Sequence, residues 1–316
     1  MSHQIKFVLL AALTFAFPAL PVRAGQPWHE TYFPNIVLTN QDGKKLKFYD
    51  DIIKGKVVAL SFIYTKCKDV CPADTAQLRQ VQDLLGDRVG RDVFFYSISI
   101  DPQNDTPAVL KRYMHMFDVG PGWQFLTGKK EDVVLLQRKL GLVGANAPAL
   151  KEHNTSVMIG NEATGQWIKR SPYDHPKLLA NLLGDALRNF ATSSSVGGLQ
   201  PFSEAHQITG QTRGDILFRT RCSACHTVGG GDKLGPDLKG VVRARDRAWL
   251  TRWLKEPDRM IAEKDPIATA LKARYRNLPM PNLSLNDVDA AALIDYLNRE
   301  DAKRDSAAAK ATKRVQ

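Results

Sequence analysis

The chain has 316 residues, of which 43% are hydrophobic and 24% are charged, and its formal net charge is +11. This length suits about two domains of ~150 residues each, and the ordinary composition argues against long disorder. The positive charge would suit nucleic acid, anionic lipid or an acidic protein. Because no nucleic-acid recognition motif accompanies the charge, we expect no nucleic-acid partner.

The first 24 residues have the features of an export signal. Lys6 supplies a positive charge, residues 7–17 form a short apolar run, and Val22-Arg23-Ala24 ends in a small residue. The run is about half as long as the ~20 residues that a membrane span needs. We therefore predict a signal (residues 1–24) cleaved after Ala24 and a periplasmic protein whose membrane contact is at most peripheral. An uncleaved membrane anchor is the alternative.

Residues 26–190 alternate between strand and helix patterns. Residues 57–64 are a nearly unbroken apolar run, which is typical of a strand buried on both faces. Strands separated by helices predict an α/β domain in which a sheet carries helices on its faces. The other predicted strands are residues 93–100, 155–160 and 166–169, the last two as a hairpin, and the predicted helices are residues 74–85, 106–117, 131–140 and 176–190.

A change of composition marks a second domain. Residues 191–203 are rich in Ser and Gly and lack charge, as flexible linkers do. Residues 204–300 show helical patterns only, which predicts a small all-α domain. Residues 301–316 are rich in Ala and Lys, and we predict a basic, disordered tail there. The predicted helices of the second domain are residues 214–222, 248–255, 267–275 and 287–298.

Two of the four cysteines lie in the sequence Cys222-Ser223-Ala224-Cys225-His226, which is the C-x-x-C-H pattern of haem attachment. Two thiols at this spacing can reach the two vinyl groups on one edge of a porphyrin, and the adjacent imidazole can turn onto the iron. A zinc site or a disulfide is the alternative. The sequence predicts one covalent haem c, attached at Cys222 and Cys225, with His226 as an iron ligand.

An electron carrier also needs a ligand on the other side of the iron. Met280 lies in the sequence Leu-Pro-Met-Pro-Asn-Leu, and its thioether would raise the iron potential and close the site to oxygen. Met260 is the rival ligand but lacks flanking prolines, and a role for Met280 as an ordinary core residue is the other alternative. The sequence predicts Met280 as the second axial ligand.

Residues 211–299 resemble the small single-haem cytochromes c. The resemblance rests on four elements in the order that this family has. They are CSACH, the Gly235-Pro236-Asp237-Leu238 segment, the Met280–Ser284 segment, and a closing helix with Leu293, Tyr296 and Leu297.

The other two cysteines, Cys67 and Cys71, follow the first predicted strand and precede a helix. A helix N-terminus at this position favours thiolates. The C-x-x-x-C spacing is one residue longer than that of thiol-disulfide enzymes and can clasp a metal ion, and soft thiolates favour copper. A structural disulfide is the alternative, and a disulfide between these cysteines would also have to be reduced before Cu(I) could bind.

Residues 34–187 resemble the Sco/SenC family. The resemblance implies a thioredoxin-like fold and delivery of copper to the binuclear CuA centre of cytochrome c oxidase. By motif position it also implies that Cys67, Cys71 and His153 bind one copper ion, while Asp69 tunes the site without binding. The motifs that carry it are TKCKDVCP (residues 65–72), Asp101-Pro102, Asp105-Thr106-Pro107, Leu126-Thr127-Gly128 and a His before the late hairpin.

Two positions depart from this family. Lys68 stands where many members have Pro, and a cation there would stabilise a thiolate. His153 lies in Glu-His-Asn-Thr, whereas many members have Asp-His followed directly by Ser or Thr. His153 as a surface-loop histidine therefore stays open as an alternative. We expect His115 and His175 to be structural or solvated.

Three functions compete at this point. The first is a copper chaperone for the CuA-bearing subunit of cytochrome c oxidase, with a tethered haem that exchanges electrons with the copper or thiol site. The second is an enzyme, a thiol-disulfide oxidoreductase that reduces the CuA cysteines. The third is an electron carrier that docks to the respiratory chain. The metal-type cysteine spacing favours the first, with other periplasmic redox or copper-carrier proteins as further partners.

Overall fold

A computed structural model of the chain describes residues 28–142, 156–187 and 211–315, with side chains described as far as Ser306. The predicted signal (residues 1–24), the predicted linker (residues 191–203) and His153 lie outside these ranges. Within them, no helix combines the length and the apolar character that crossing a membrane requires.

The N-terminal domain is built on one mixed sheet. Its strands are β1 (Val37–Asn40), β2 (Lys45–Lys47), β3 (Val57–Ile63), β4 (Val93–Ser99), β5 (Trp123–Thr127), β6 (Val157–Asn161) and β7 (Gln166–Arg170), in the spatial order β2-β1-β5-β4-β3-β6-β7. The helices are α1 (Val70–Leu85), α2 (Pro107–Met116), α3 (Lys130–Lys139) and α4 (Pro176–Asn181), which continues into a π-helical turn, Leu182–Ala186. The predicted α/β fold is confirmed.

The centre of the sheet sets the position of the cysteine loop. All seven residues of β3 are buried, as the apolar run predicts, because cores cover both faces of the sheet. β3 and β4 are parallel, so their carboxyl ends lie at the same edge. The predicted hairpin is confirmed as β6 and β7, and β6 pairs antiparallel with β3. The chain therefore enters β6 at the edge where β3 ends.

At the opposite end of the central strands, Glu162 links the segments before β3 to the end of β6. Its buried carboxylate accepts hydrogen bonds from the backbone N–H of Gly55 at 2.7 Å and the hydroxyl of Tyr49 at 2.8 Å, and it lies 2.9 Å from Nδ1 of His29. Burial alone would raise the pKa of this carboxyl. The three partners outweigh burial and hold the pKa below its usual value.

We expect Glu162→Gln to lower the free energy of unfolding at pH 7 by ~1–3 kcal/mol, because the donors lose a charged acceptor. A depressed pKa adds stability above the unfolded-state value of ~4.3, and this stability is lost as the pH falls through the folded-state pKa. The difference between wild type and variant should therefore shrink below about pH 4. Urea unfolding at several pH values measures it. Glu131→Gln, at an exposed site, is the control, and a pH-independent difference would contradict this account.

The C-terminal domain is helical, as predicted. Its helices are α5 (Arg213–Leu217), which continues into a π-helical turn, Phe218–Cys222, then α6 (Val241–Ala244), α7 (Arg247–Lys255), α8 (Pro257–Ala262), α9 (Pro266–Arg274) and α10 (Asp287–Val315). α5 crosses α10 at Gly214, where a Cβ would lie 2.1 Å from the carbonyl oxygen of Ala292. Phe218 stacks on Tyr296 with ring centroids 4.8 Å apart. This crossing places the following cysteine segment against the domain core.

The predicted disordered tail at residues 301–316 is wrong for most of its length, because α10 continues to Val315. Alanine and lysine are good helix formers. Asp301, which is buried, accepts from the backbone N–H of Gly240 at 3.0 Å, and Asp305 pairs with Arg243 at 2.9 Å. These contacts fix the first turns of the extension, and helix propensity favours its continuation.

Candidate functional site

Cys67 and Cys71 lie where β3 passes into α1. Cys67 is in the loop after the strand, and Cys71 is in the first turn of the helix. The backbone N–H of Cys71 donates to Sγ of Cys67 at 3.4 Å, and the side chains are only 6% and 0% exposed, respectively. Both are thiols. The C-x-x-x-C spacing therefore brings the two sulfurs to one buried point at the carboxyl edge of the sheet.

The loop is fastened by Asp105, which is fully buried in the segment that follows β4. Its carboxylate accepts from the backbone N–H and the hydroxyl of Thr65, two residues before Cys67, and from the hydroxyl of Ser99. A carboxylate at this point satisfies three donors in the interior. Asp105 thus fixes the start of the cysteine loop relative to the sheet.

The electrostatics of the pair differ from the sequence expectation of a stabilised thiolate. The pKa of Cys71 is raised, first by its hydrogen bond with Cys67 and then by burial. Burial and a hydrogen bond with Cys67 also raise the pKa of Tyr64. A buried pair that shares a proton resists ionisation, so a bound cation would have to displace that proton.

The third predicted ligand, His153, lies outside the described residues. Within them, no group of three His, Cys, Asp or Glu side chains forms a metal site. The next described residue after this gap is Ser156, which lines a small cavity together with Asp74 and Thr75 of α1. His115 is exposed on α2, and His175 caps α4 by accepting from the backbone N–H of Lys177 at 3.3 Å. The solvated and structural roles expected for these two histidines are confirmed.

The second site is a cavity in the C-terminal domain that contains about 1390 Å³ of space, part of it open to solvent. Cys222, Cys225, His226 and Met280 all line it. The backbone N–H groups of Cys225 and His226 donate to the carbonyl of Cys222 at 3.0 and 2.9 Å, so the motif closes into a single turn. The remaining walls are mostly apolar and include Trp249, Leu250 and Trp253. Such a cavity suits a large flat apolar group far better than a single metal ion.

His226 is oriented by its neighbours. Its Nδ1 lies 2.9 Å from the carbonyl oxygen of Pro236, which leaves Nε2 for a metal. A Cβ on Gly235 would lie 2.6 Å from Cε1 of His226, so the ring position requires glycine there. Burial lowers the pKa of His226, which favours the neutral imidazole that binds iron.

The two cysteines of this motif lie in apolar surroundings. Burial raises the pKa of Cys222 and of Cys225 to about 12. A zinc site needs thiolates and usually four ligands, whereas thioether bonds to a haem carry no charge. The donor set and its surroundings therefore fit a covalently attached haem.

Met280 and Met260 occupy different environments. Met280 is half-buried and lines the cavity with His226. Met260 is 1% exposed and packs in a small core cluster with Trp253 and Ala268. The arrangement favours Met280 as the second ligand and Met260 as a core residue.

Sequence reasoning missed the cations at this cavity. Lys239, Arg245 and Lys272 line its wall, and the Arg245 guanidinium lies 5.9 Å from the centre of the Trp249 ring. Side chains of this kind bind carboxylates and could hold the propionates of a haem. Single basic residues in a chain with 44 Lys and Arg give no signal of their own.

The two sites adjoin one another. Pro72, the residue after Cys71, and Phe117, just after α2, line the cavity of the C-terminal domain. The backbone N–H of Asn282 donates to the carbonyl of Lys68 at 3.0 Å. The loop that carries Met280 is therefore hydrogen-bonded directly to the loop that carries Cys67 and Cys71.

Comparisons with known proteins agree with this division. A family model described as SCO1/SenC matches residues 29–180, and one described as Cytochrome c matches residues 211–299. The SCO1 protein homolog of Bacillus subtilis (strain 168) is 34% identical over 137 residues, which cover 36% of this chain and 69% of that protein. A protein of Stutzerimonas stutzeri described as copper-binding is 30% identical over 113 residues, which cover 36% of this chain and only 53% of that protein.

Two solved structures are also similar. A SCO1/SenC family lipoprotein from Bacillus anthracis str. Ames is 26% identical with a TM-score of 0.42, covering 51% of this chain and 96% of that one. Copper-bound ScoI of Bradyrhizobium japonicum is 26% identical with a TM-score of 0.39, covering 46% of this chain and 94% of that one.

Proposed function

The chain belongs to the SCO1/SenC family and also contains a cytochrome c domain, and from this premise we propose that it is a copper chaperone with a built-in haem. Copper is the cargo, held by Cys67, Cys71 and His153 and delivered to the CuA centre of cytochrome c oxidase. Cys222 and Cys225 would attach one covalent haem c and His226 and Met280 would bind its iron, and the haem would supply a centre for electron exchange with the copper site. The protein would act in the periplasm.

One observation carries this proposal, namely the contact between the two sites. The residue after Cys71 lines the cavity that also contains His226 and Met280, and Asn282 bonds to Lys68. A free electron shuttle would gain nothing from burying its cavity wall against a second cysteine pair. The relative described as copper-binding supports copper as the metal that this cysteine pair binds.

The described chain around His153 supports its assignment as a ligand. Ser156 lies beside Asp74 and Thr75, which follow Cys71 on α1. Three residues of chain span at most ~11 Å. Ser156 is the third residue after His153, so the chain length allows His153 to reach the cysteine loop, whereas His115 is exposed on α2 and His175 caps α4.

Electron stoichiometry favours copper over a disulfide as the partner of the haem. A haem supplies a one-electron couple when it is bound. Cu(I) and Cu(II) differ by one electron, whereas Cys67 and Cys71 give up two electrons and two protons when they form a disulfide. The number of electrons therefore matches a single haem when copper changes its oxidation state, but not when the two cysteines form a disulfide. This mismatch argues against the oxidoreductase as the main activity.

Copper titration of the haem-loaded, thiol-reduced chain tests the proposal. We expect Cys67→Ser and His153→Ala each to weaken Cu(I) binding at least about tenfold, since each removes a soft or imidazole ligand. His115→Ala is the matched control, because this exposed histidine on α2 should leave the affinity unchanged. Unchanged affinity in Cys67→Ser would overturn the chaperone assignment.

The same preparations separate the alternatives. Adding Cu(I) without oxygen should reduce the oxidised haem faster in the wild type than in Cys67→Ser. Equal rates would count against electron exchange between the sites. Turnover of a disulfide substrate by the copper-free chain, lost in Cys71→Ser, would instead favour the oxidoreductase.

A further inference from the structure

One face of the N-terminal domain is covered by the C-terminal domain. This docking face consists of Lys68, Pro72, Ala73, Gln77 and Phe117. It surrounds the point where Cys67 and Cys71 come together. A protein that approaches these two thiols through this face has to displace the C-terminal domain.

The contacts on the docking face come from both sides. Ala73 of α1 is buried within the core cluster of the C-terminal domain, and Gln77, one turn later, donates from Nε2 to the carbonyl of Thr220 at 2.9 Å. From the other side, Ala224 is buried in the cluster that contains Cys67 and Cys71, and Leu278 packs against it. The two cores therefore interlock at the cysteine pair.

The same contacts cover the haem-attachment segment. Ala224 lies between Cys222 and Cys225, and Cys225 also packs against the core of the N-terminal domain. The docked arrangement thus hides two things at once, the copper thiols and the two cysteines that would carry the haem. Neither is presented to a second protein in this state.

The apolar part of the interface consists of small or partly buried side chains such as Ala73, Ala224 and Leu278, and its polar links in the part of the chain that the structure describes are few, which suits a cover that can detach. Within the described residues, the polar links across the interface include two hydrogen bonds to backbone carbonyls, donated by Asn282 and Gln77. Arg276 and Asp118 form an ion pair at 3.6 Å that is largely exposed, so its contribution is small. Because the domains are parts of one chain, redocking is intramolecular and needs no high protein concentration.

We propose that the C-terminal domain is a removable cover. When the C-terminal domain is docked, the copper site faces the haem cavity, and other proteins cannot reach it. Copper exchange with a second protein requires it to leave the docking face. The inference rests on the proposed function only for the nature of that second protein, since the covering itself concerns thiol access.

Thiol modification of the haem-loaded, copper-free, reduced chain tests this. The probe is a maleimide joined to a polyethylene glycol chain, with mass spectrometry locating the product on Cys67 or Cys71. Ala73→Arg places a long cation in the interface and should speed modification at least about fivefold, because reaction of a buried thiol follows the population of the open state. Ala108→Arg makes the same change at an exposed alanine on α2 and should match the wild type.

Hydrogen exchange at the Asn282 amide reports docking independently. It should be protected in the wild type and in Ala108→Arg, and exposed in Ala73→Arg. Loss of protection without faster modification would show that the domain covers nothing, and an unprotected amide in the wild type would show that docking is not populated. Either result overturns the proposal. If Ala73→Arg fails to fold, Gln77→Arg repeats the test one turn along α1. None of these results depends on copper binding, so they are distinct from failure of the proposed function.

Discussion

Replacing Met280 by alanine is expected to lower the reduction potential of the haem by on the order of 0.2 V, within the ~0.8 V range that axial ligands span. In the proposed role of Met280 as second iron ligand, its thioether would stabilise ferrous iron, and alanine would leave that position to water. Attachment at Cys222 and Cys225 should persist. The backbone hydrogen bonds from Cys225 and His226 to the carbonyl of Cys222 hold this turn without Met280. Spectroelectrochemical titration measures the potential.

Met260→Ala is the matched control for this experiment. Met260 is buried in a core cluster with Trp253 and Ala268, against which Met280 also packs, so its loss should cost ~2–5 kcal/mol of unfolding free energy through the cavity left behind. Because Met260 itself does not line the cavity, the haem potential should change much less than in Met280→Ala. A large fall in potential for Met260→Ala, with Met280→Ala unaffected, would exchange the roles of the two residues.

The second large effect is expected for Asp105→Ala. The substitution leaves the N–H and the hydroxyl of Thr65 and the hydroxyl of Ser99 without their buried acceptor. At ~1–3 kcal/mol for each unsatisfied group, a loss of ~3 kcal/mol or more in unfolding free energy follows. Cu(I) affinity should also fall by about tenfold or more, as it does when groups that support metal ligands are removed.

Asp101→Ala is the control that separates the loss of the Asp105 hydrogen bonds from the loss of any carboxylate at this edge of the sheet. Asp101 is partly exposed at the same sheet edge, and its carboxylate accepts from the side chain of Asn104. We expect a change of less than ~1 kcal/mol there. Wild-type copper affinity in Asp105→Ala would show that the cysteine loop holds its position without this carboxylate.

The main elements could be predicted from the sequence wherever one pattern fixed them. β3 is buried on both faces, so its residues are uniformly apolar and easily recognised. β1 and β2 were not predicted, because strands of three or four residues with mixed exposure give too little periodicity. β5 was also missed, because it is mostly buried but only five residues long. α10 was predicted to end near residue 298, because its continuation depends on Asp301 and Asp305 meeting Gly240 and Arg243 across the fold.

The candidate sites followed a similar rule. Cys222, Cys225 and His226 are adjacent in sequence, so spacing alone identifies them, and the structure places them around one cavity with Met280. The role of Asp105 depends on two strands lying side by side, and the cations Lys239 and Arg245 meet only after folding. The expected stabilisation of a thiolate overlooked the hydrogen bond between Cys71 and Cys67 and the burial of Cys71, which together raise the pKa of this thiol. Asp105 lies in a motif, Asp105-Thr106-Pro107, but no local pattern reveals its hydrogen bonds or the position of the cations.

The hydrogen bond between Asn282 and Lys68 has a consequence for how such proteins can diverge. It joins two backbone groups, so every amino acid at position 68, proline included, supplies the carbonyl. Every residue except proline at position 282 supplies the N–H. Relatives with a fused cytochrome could therefore keep this backbone contact with other residues at both positions, although the Asn282 side chain has further bonds to Asp258 and to the N–H of Ser284. Residue identity or covariation at these two positions would not reveal it, and only the exclusion of proline from position 282 would leave a trace in aligned sequences.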